Sequence, residues 1–246
     1  MKSRPKIHIP ISMNKSIKDP RILRGMEKQL QLRQDRLSAG EKPIGWKVGF
    51  GAPAALERLK IDSPLIGFLT DKTLLHSGAR VSIKGWTKPA IEPEIAVTIG
   101  RDLYEGSDRN TTRAAIASLG PAIELADVNF PPDDVERSLA GNIYNRHIIF
   151  GHSDASHAGC VLDGLAARVY RNGNEVAATS DLQALTGDIV EIVCHVADLL
   201  SALGERLRAG EVIIMGSIIP PLWIESTEEI RYHLEPIDMI SVDIQI

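Results

Sequence analysis

Cysteine is nearly absent from this 246-residue chain: only Cys160 and Cys194 occur, far apart and without a CxxC partner. That excludes a disulfide framework and a cysteine-built structural zinc site, and a reducing cytoplasm is the expected compartment. Aromatic residues make up only 4% of the chain, and no dense basic run interleaves with them. With 28 Lys and Arg against 32 Asp and Glu, for a net charge of -4, nucleic acid is not an expected partner. No apolar stretch reaches the roughly 20 residues of a membrane span. The start, "MKSRPKIHIPISMNK", is basic but lacks an apolar h-region and a small-residue cleavage site, so neither export nor membrane insertion is expected. A phosphate-binding glycine loop, a nucleophile elbow, internal repeats and low-complexity tracts are also missing.

What is present is a 43% hydrophobic composition, enough to bury a substantial core. "DPRILRGMEKQLQLRQDRL", residues 19–37, predicts a helix capped by Asp19, opened by Pro20 and stopped near Gly40. From residue 44 to 100 short Val/Ile-rich runs broken by Gly, Pro, Asp and Lys read as strands and turns. "NTTRAAIASLG", residues 110–120, predicts a second helix capped by Asn110 or Thr111, followed by the extended "PAIELADV" and a short helix reaching about Leu139. "RHIIFG" is strand-like, and Asn172-Gly173 between alternating segments signals a hairpin. A third helix is expected from Asp188 to Leu203, then strands in "GEVIIMGSIIPPLWI" and "MISVDIQI". The expected class is α+β, one domain over 1–246, with a helical segment at about 1–43 and a strand-rich core from about 44.

"AIEPEIAVTIG", residues 90–100, sets two glutamates inside an apolar run. Strand side chains alternate, so Glu92, Glu94, Ala96 and Thr98 share one face while Ile91, Ile95, Val97 and Ile99 share the other. Two carboxylates about 6–7 Å apart along one strand are tolerated in water, or in a cleft with a cation between them. The plainer alternative is a wet edge strand, with Pro93 marking the edge or a bulge. In "GPAIELADV" the same alternation puts Glu124 beside Ala122 and Ala126, against Ile123 and Leu125. Three carboxylates without Cys or His form an oxygen-only set suited to Mg²⁺ or Mn²⁺. In "IGWKVGFG", Lys47 lies between Gly45 and Gly49, opposite Trp46, Val48 and Phe50. It is either an exposed strand lysine or an acid/base group beside a cation.

"GWKVGF", "SPLIGFLTD", "IEPEIAVTIGRDL", "GPAIELADV", "AGNIYNRHIIFG" and "LGERLRAGEVIIMGS" occur in that order. Together, from about residue 41 to the C-terminus, they resemble the fumarylacetoacetate hydrolase superfamily, in its 2-keto-4-pentenoate (2-hydroxypenta-2,4-dienoate) hydratase and 4-oxalocrotonate decarboxylase branch. The resemblance implies a mixed β-roll with flanking helices, a divalent ion, small 2-oxo or 2-hydroxydienoate acids as substrates, aromatic-compound catabolism and a homo-oligomer. It puts the metal carboxylates on Glu92, Glu94 and Glu124, the active-site lysine on Lys47, its proton-transfer partner on Asp71, and substrate-pocket positions on Asn142 and Ser217. Two segments depart from the family's pattern: "TGDI", residues 186–189, stands for the usual "GHPL", and "GFGAP" carries Phe50 and Gly51 where Leu and Thr are usual.

The resemblance implies a metal-dependent hydratase giving a 4-hydroxy-2-oxo acid. Its alternatives are a 4-oxalocrotonate-type decarboxylase or an acylpyruvate hydrolase; the latter needs a His–Glu pair, for which His76 is a poor turn-borne candidate. A non-catalytic small-acid binding module is the alternative of a different class, suggested by the two altered segments. His152, Asp154 and His157 in "GHSDASH" read as solvated loop residues, and His195 as a packed helix residue.

Overall fold

Asp19 accepts a hydrogen bond from the Arg21 amide at 2.8 Å and Pro20 takes the first helical position, so helix α1 runs Pro20–Ser38. The computed structural model describes residues 17–246, and the basic start discussed above lies outside them. α1 buries Met26 and Leu30 and approaches Leu139 closely at Gly25, where a Cβ would stand 2.7 Å from that of Leu139. Strand β1 (Pro43–Gly49), helix α2 (Pro53–Leu59), β2 (Leu65–Thr70), β3 (Leu74–Leu75), β4 (Ala79–Ser82) and the long β5 (Pro89–Ile99) follow. Next come α3 (Arg109–Ala115), β6 (Ile116–Asp127), α4 (Val135–Ala140) and β7 (Asn145–Phe150). The remainder holds β8 (Ala166–Arg171), β9 (Asn174–Thr179), α5 (Ile189–Ala202), β10 (Val212–Ser217), β11 (Leu222–Trp223), β12 (Glu228–Glu235) and β13 (Asp238–Gln245).

The class is mixed α+β. An eight-stranded sheet has the order β2-β1-β10-β5-β6-β7-β3, with β11 added beside β5, and a five-stranded sheet has the order β4-β13-β12-β8-β9. β1 with β10 and β3 with β7 are parallel pairs, and the other pairs of the large sheet are antiparallel. β12 and β13 lay the second sheet against β6. Between β8 and β9, Asn172 and Gly173 both take positive φ, 51° and 81°, the turn an Asn-Gly hairpin requires. Asp188 caps α5 by accepting from the Glu191 amide at 3.0 Å.

The local reading and the structure part at three places. The helix expected over 110–120 ends at Ala115, capped by Asp108 rather than Asn110 or Thr111. Ile116–Asp127 is strand because β6 pairs with β5 along its whole length, which overrides the helical preference of "AAIASL". α2 lies in a stretch expected to hold only strands and turns; Pro53 opens it and Lys60, in the left-handed region, ends it. β12 was not anticipated, although Ile230, Tyr232 and Leu234 alternate inward with the period of a strand.

The alternation along β5 and β6 has the sense its side chains predict except at Ala126, which joins the main core where the β6–β7 register shifts. Ile91, Ile95, Val97, Ile99, Ile123 and Leu125 join the main core, whereas Ala96 and Ala122 pack with Leu69, Ile148 and Ile214 in a smaller cluster. β5 lies between β10 and β6 in the middle of the sheet, so the wet-edge alternative does not hold. Pro93 faces an irregularity in β10 between Ile214 and Ser217, where its missing N–H costs no ladder bond, and its carbonyl accepts from Ile218 at 3.0 Å. No helix among the described residues is long and apolar enough to cross a membrane.

Candidate active site

Because β5 and β6 are antiparallel, Glu92 stands directly opposite Glu124, and Glu94 opposite Ala122 on the same face. One oxygen from each of Glu92, Glu94 and Glu124 lies within 4.8 Å of the others. Glu94 and Glu124 are 0% exposed, and Glu92 is half-buried. Glu94 Oε2 accepts from the Gly216 amide at 2.7 Å, while Oε1 has no partner. Glu124 Oε1 accepts from Asn145 Nδ2 at 2.8 Å and from Lys47 Nζ, while Oε2 has no partner.

Three carboxylates face one ammonium here, so the group carries surplus negative charge in a buried place. Burial, and next the charge of Glu124, push the Glu92 carboxyl up to about 7, with Lys47 only partly offsetting them. The same causes hold Glu94 well above the ordinary carboxylate range, Glu92 adding its own repulsion. Burying ionised carboxylates is costly unless a cation offsets them. Two orphaned buried oxygens on neighbouring strands, in a donor set of oxygen alone, fit a hard divalent cation. Among the described residues no other group of His, Cys, Asp or Glu converges in this way.

Lys47 is 2% exposed, and its ammonium also donates to the Ile143 carbonyl at 3.0 Å. The room for its stem comes from Gly67, its cross-strand neighbour in β2, rather than from Gly45 and Gly49. A Cβ on Gly67 would lie 2.8 Å from Lys47 Cγ and 2.8 Å from Asn142 Oδ1, whereas one on Gly45 would strike the Val212 carbonyl. Gly67→Ala is therefore expected to lower the melting temperature by several degrees, since overpacking costs about 1–3 kcal/mol and each kcal/mol is worth roughly 2–4 °C at this size. A thermal melt checks this, and an unchanged midpoint would mean that the lysine stem yields freely.

Asn142, Ile143 and Tyr144 take φ of 57°, 48° and 63°, three left-handed residues in succession without a glycine. The Asn142 amide holds this turn in place: Oδ1 accepts from Phe68 N at 2.8 Å and Nδ2 donates to Phe68 O at 2.9 Å. The turn in exchange delivers the Ile143 carbonyl to Lys47 and Asn145 to Glu124. Asn142, which the resemblance puts at the substrate pocket, fastens β2 to the turn beside the carboxylates. Ser217 lies beside Glu94 in register, but its hydroxyl donates to the Ile219 carbonyl at 2.7 Å.

Asp71, expected as the proton-transfer partner of Lys47, lies apart from it. Lys47 pairs with Gly67, and Asp71 lies four residues further along, about 13 Å at strand spacing. There its carboxylate accepts from the Lys42 amide at 2.8 Å at the far end of the β1–β2 pair, so the structure does not bring it to Lys47.

The two segments that depart from the family's pattern meet beside the carboxylates. A Cβ on Gly51 would touch the Thr186 carbonyl at 3.4 Å, and the Thr186 methyl lies near Gly216, whose amide holds Glu94. Phe50 packs edge-on against Tyr144, with ring centroids 6.5 Å apart. The loop histidines stay away from the cluster, His157 Nδ1 pairing with the Val161 carbonyl at 2.6 Å. His195 Nε2 meets the Pro64 carbonyl at 2.9 Å and lines a separate cavity of about 570 Å³ with Lys18, Lys60, Leu139 and Asp198. Sequence reasoning missed Gly67, Gly216 and Asn145. Gly67 and Gly216, each a glycine inside an apolar strand, carried a signal, and Asn145 carried none.

The sequence matches the family model described as fumarylacetoacetate (FAA) hydrolase C-terminal over residues 47–245. It is 31% identical over 196 residues to a 2-hydroxyhexa-2,4-dienoate hydratase of Comamonas testosteroni, covering 78% of this chain and 74% of that protein. It is 25% identical over 219 residues to a 2-keto-4-pentenoate hydratase of Paraburkholderia xenovorans (strain LB400), covering 86% and 80%. The fold is similar to that of 4-oxalocrotonate decarboxylase from Pseudomonas putida G7, solved with magnesium and adipate, at a TM-score of 0.82 and 24% identity over 91% of this chain and 86% of that one. From the ordered motifs, the matched span of the family model and the relative at 31% identity, the chain belongs to the fumarylacetoacetate hydrolase family.

Proposed function

We propose that this protein hydrates a small 2-hydroxy-2,4-dienoate, of the 2-keto-4-pentenoate kind, to a 4-hydroxy-2-oxo acid. Glu92, Glu94 and Glu124 would hold Mg²⁺ or Mn²⁺. The observation that carries the reading is the pair of fully buried carboxylates with unpartnered oxygens next to a buried ammonium. The hydratase names of the two relatives support the choice of reaction.

A divalent cation, when bound, supplies Lewis-acid polarisation to a carboxylate and 2-oxygen held side by side. Lys47 holds its protons at Nζ, between Glu124 and the Ile143 carbonyl, and is the group placed to pass one to or from a substrate atom beside the carboxylates. The Gly216 amide and the Asn145 amide orient Glu94 and Glu124. Glu92, as the half-buried member, marks the side from which substrate enters. Asp71 has no part in this scheme.

The test follows the ultraviolet absorbance of a 2-hydroxydienoate. EDTA is expected to stop its loss, and Glu92→Ala to slow it by more than the about 100-fold that losing an outer-shell partner costs. Undiminished turnover in either case would sink the proposal, and release of CO₂ from 4-oxalocrotonate without hydration of the dienoate would reassign the reaction to decarboxylation.

A further inference from the structure

Asn145, the first residue of β7, was not among the residues singled out by sequence, yet it reaches the centre of the site. Its Nδ2 donates to Glu124 Oε1 at 2.8 Å, the same oxygen that Lys47 engages. An ionised carboxylate only accepts, so the orientation of the amide is determined: nitrogen toward Glu124, carbonyl turned away. That carbonyl, Asn145 Oδ1, is buried and has no partner among the described residues, and neither has Glu124 Oε2. Two donors thus hold one oxygen of Glu124, leaving its other oxygen and Asn145 Oδ1 as buried acceptors that lack donors. A buried acceptor of this kind is expensive unless something in the site supplies the missing bond.

We propose that Asn145 is a positioning and specificity residue. Its amide nitrogen orients Glu124 so that Oε2 faces the cation, and its Oδ1 accepts from the hydroxyl of a 4-hydroxy-2-oxo acid. The inference rests on the hydratase reading, in which the ligand carries such a hydroxyl.

Asn145→Leu keeps the branched shape, at greater bulk, and removes both hydrogen-bonding atoms; Asn145→Ala removes them without adding bulk. Calorimetry would measure Mn²⁺ binding by each protein, and then binding of 4-hydroxy-2-oxopentanoate and 2-oxopentanoate to the Mn²⁺-loaded forms. Both variants are expected to bind Mn²⁺ about tenfold more weakly. A preference of roughly tenfold for the hydroxylated acid in the unaltered protein is expected to vanish in both. Retention of either property in the variants overturns the proposal while leaving the hydratase reading intact. Failure of the unaltered protein to bind Mn²⁺ at all overturns the two together.

Discussion

Lys47→Met is expected to cut dienoate hydration by at least about 1,000-fold and to lower the melting temperature of the chelator-treated protein by roughly 10 °C. The ammonium is 2% exposed and its partner Glu124 is 0% exposed. Removing one member of a buried ion pair costs about 3–5 kcal/mol, because the other is left charged and uncompensated. At this site the cost falls on three carboxylates at once, since Lys47 is the cation that offsets each of them. Excess Mg²⁺ or Mn²⁺ is expected to restore much of the lost melting temperature, since a ligand that binds only the folded state stabilises it by mass action. It is not expected to restore turnover, because the cation carries no proton to replace that of Lys47. A variant that melts like the unaltered protein after chelation, or that keeps its rate, would remove Lys47 from the mechanism.

The second large effect concerns pH. A carboxyl whose folded pKa lies above its unfolded value contributes stability in full below that unfolded value and loses it as pH rises through the folded one. For Glu92 the window runs from 4.5 to about 7, and Glu94 extends it upward. Burial shifts His147 and His195 down, and these favour the folded state in the opposite direction, toward higher pH. Comparing chelated wild type with chelated Glu94→Gln cancels the histidines, which both proteins share. The variant is expected to melt several degrees higher at pH 8, with the gap closing toward pH 5 as the carboxyls of the wild type take up protons. Added Mn²⁺ is expected to invert the order at pH 8, because the deprotonated oxygens are the ligands and binding releases their protons. Melting curves at pH 5 and pH 8, with and without the ion, decide it; a gap independent of pH would mean that the carboxylates are solvated and uncoupled.

Both predictions depend on how β5, β6 and β1 are aligned, and that separates what residue order determined from what it left open. Alternation is a property of one strand, so the division of Glu92 and Glu94 from Ile91 and Ile95, and of Lys47 from Trp46 and Val48, was legible in the sequence. Asp19 with Pro20, Asn172 with Gly173, and the helix start at Asp188 were legible for the same reason: a cap or a tight turn is decided within about four residues. The ordered motifs also pointed to the family and to its three glutamates.

Register between strands is not local, and only the tertiary structure decided it. It set Glu92 opposite Glu124, paired Lys47 with Gly67, and sent Asp71 to the other end of its hairpin beside Lys42. Pairing with β5 converted Ile116–Gly120 from expected helix to strand. The strained turn at residues 142–144, fastened to Phe68, brought Asn145 to Glu124 from 21 positions away. A short-range pattern tells each side chain which way to face. Which partner it then meets depends on closing the whole sheet, where distant contacts outweigh the preferences of any single segment.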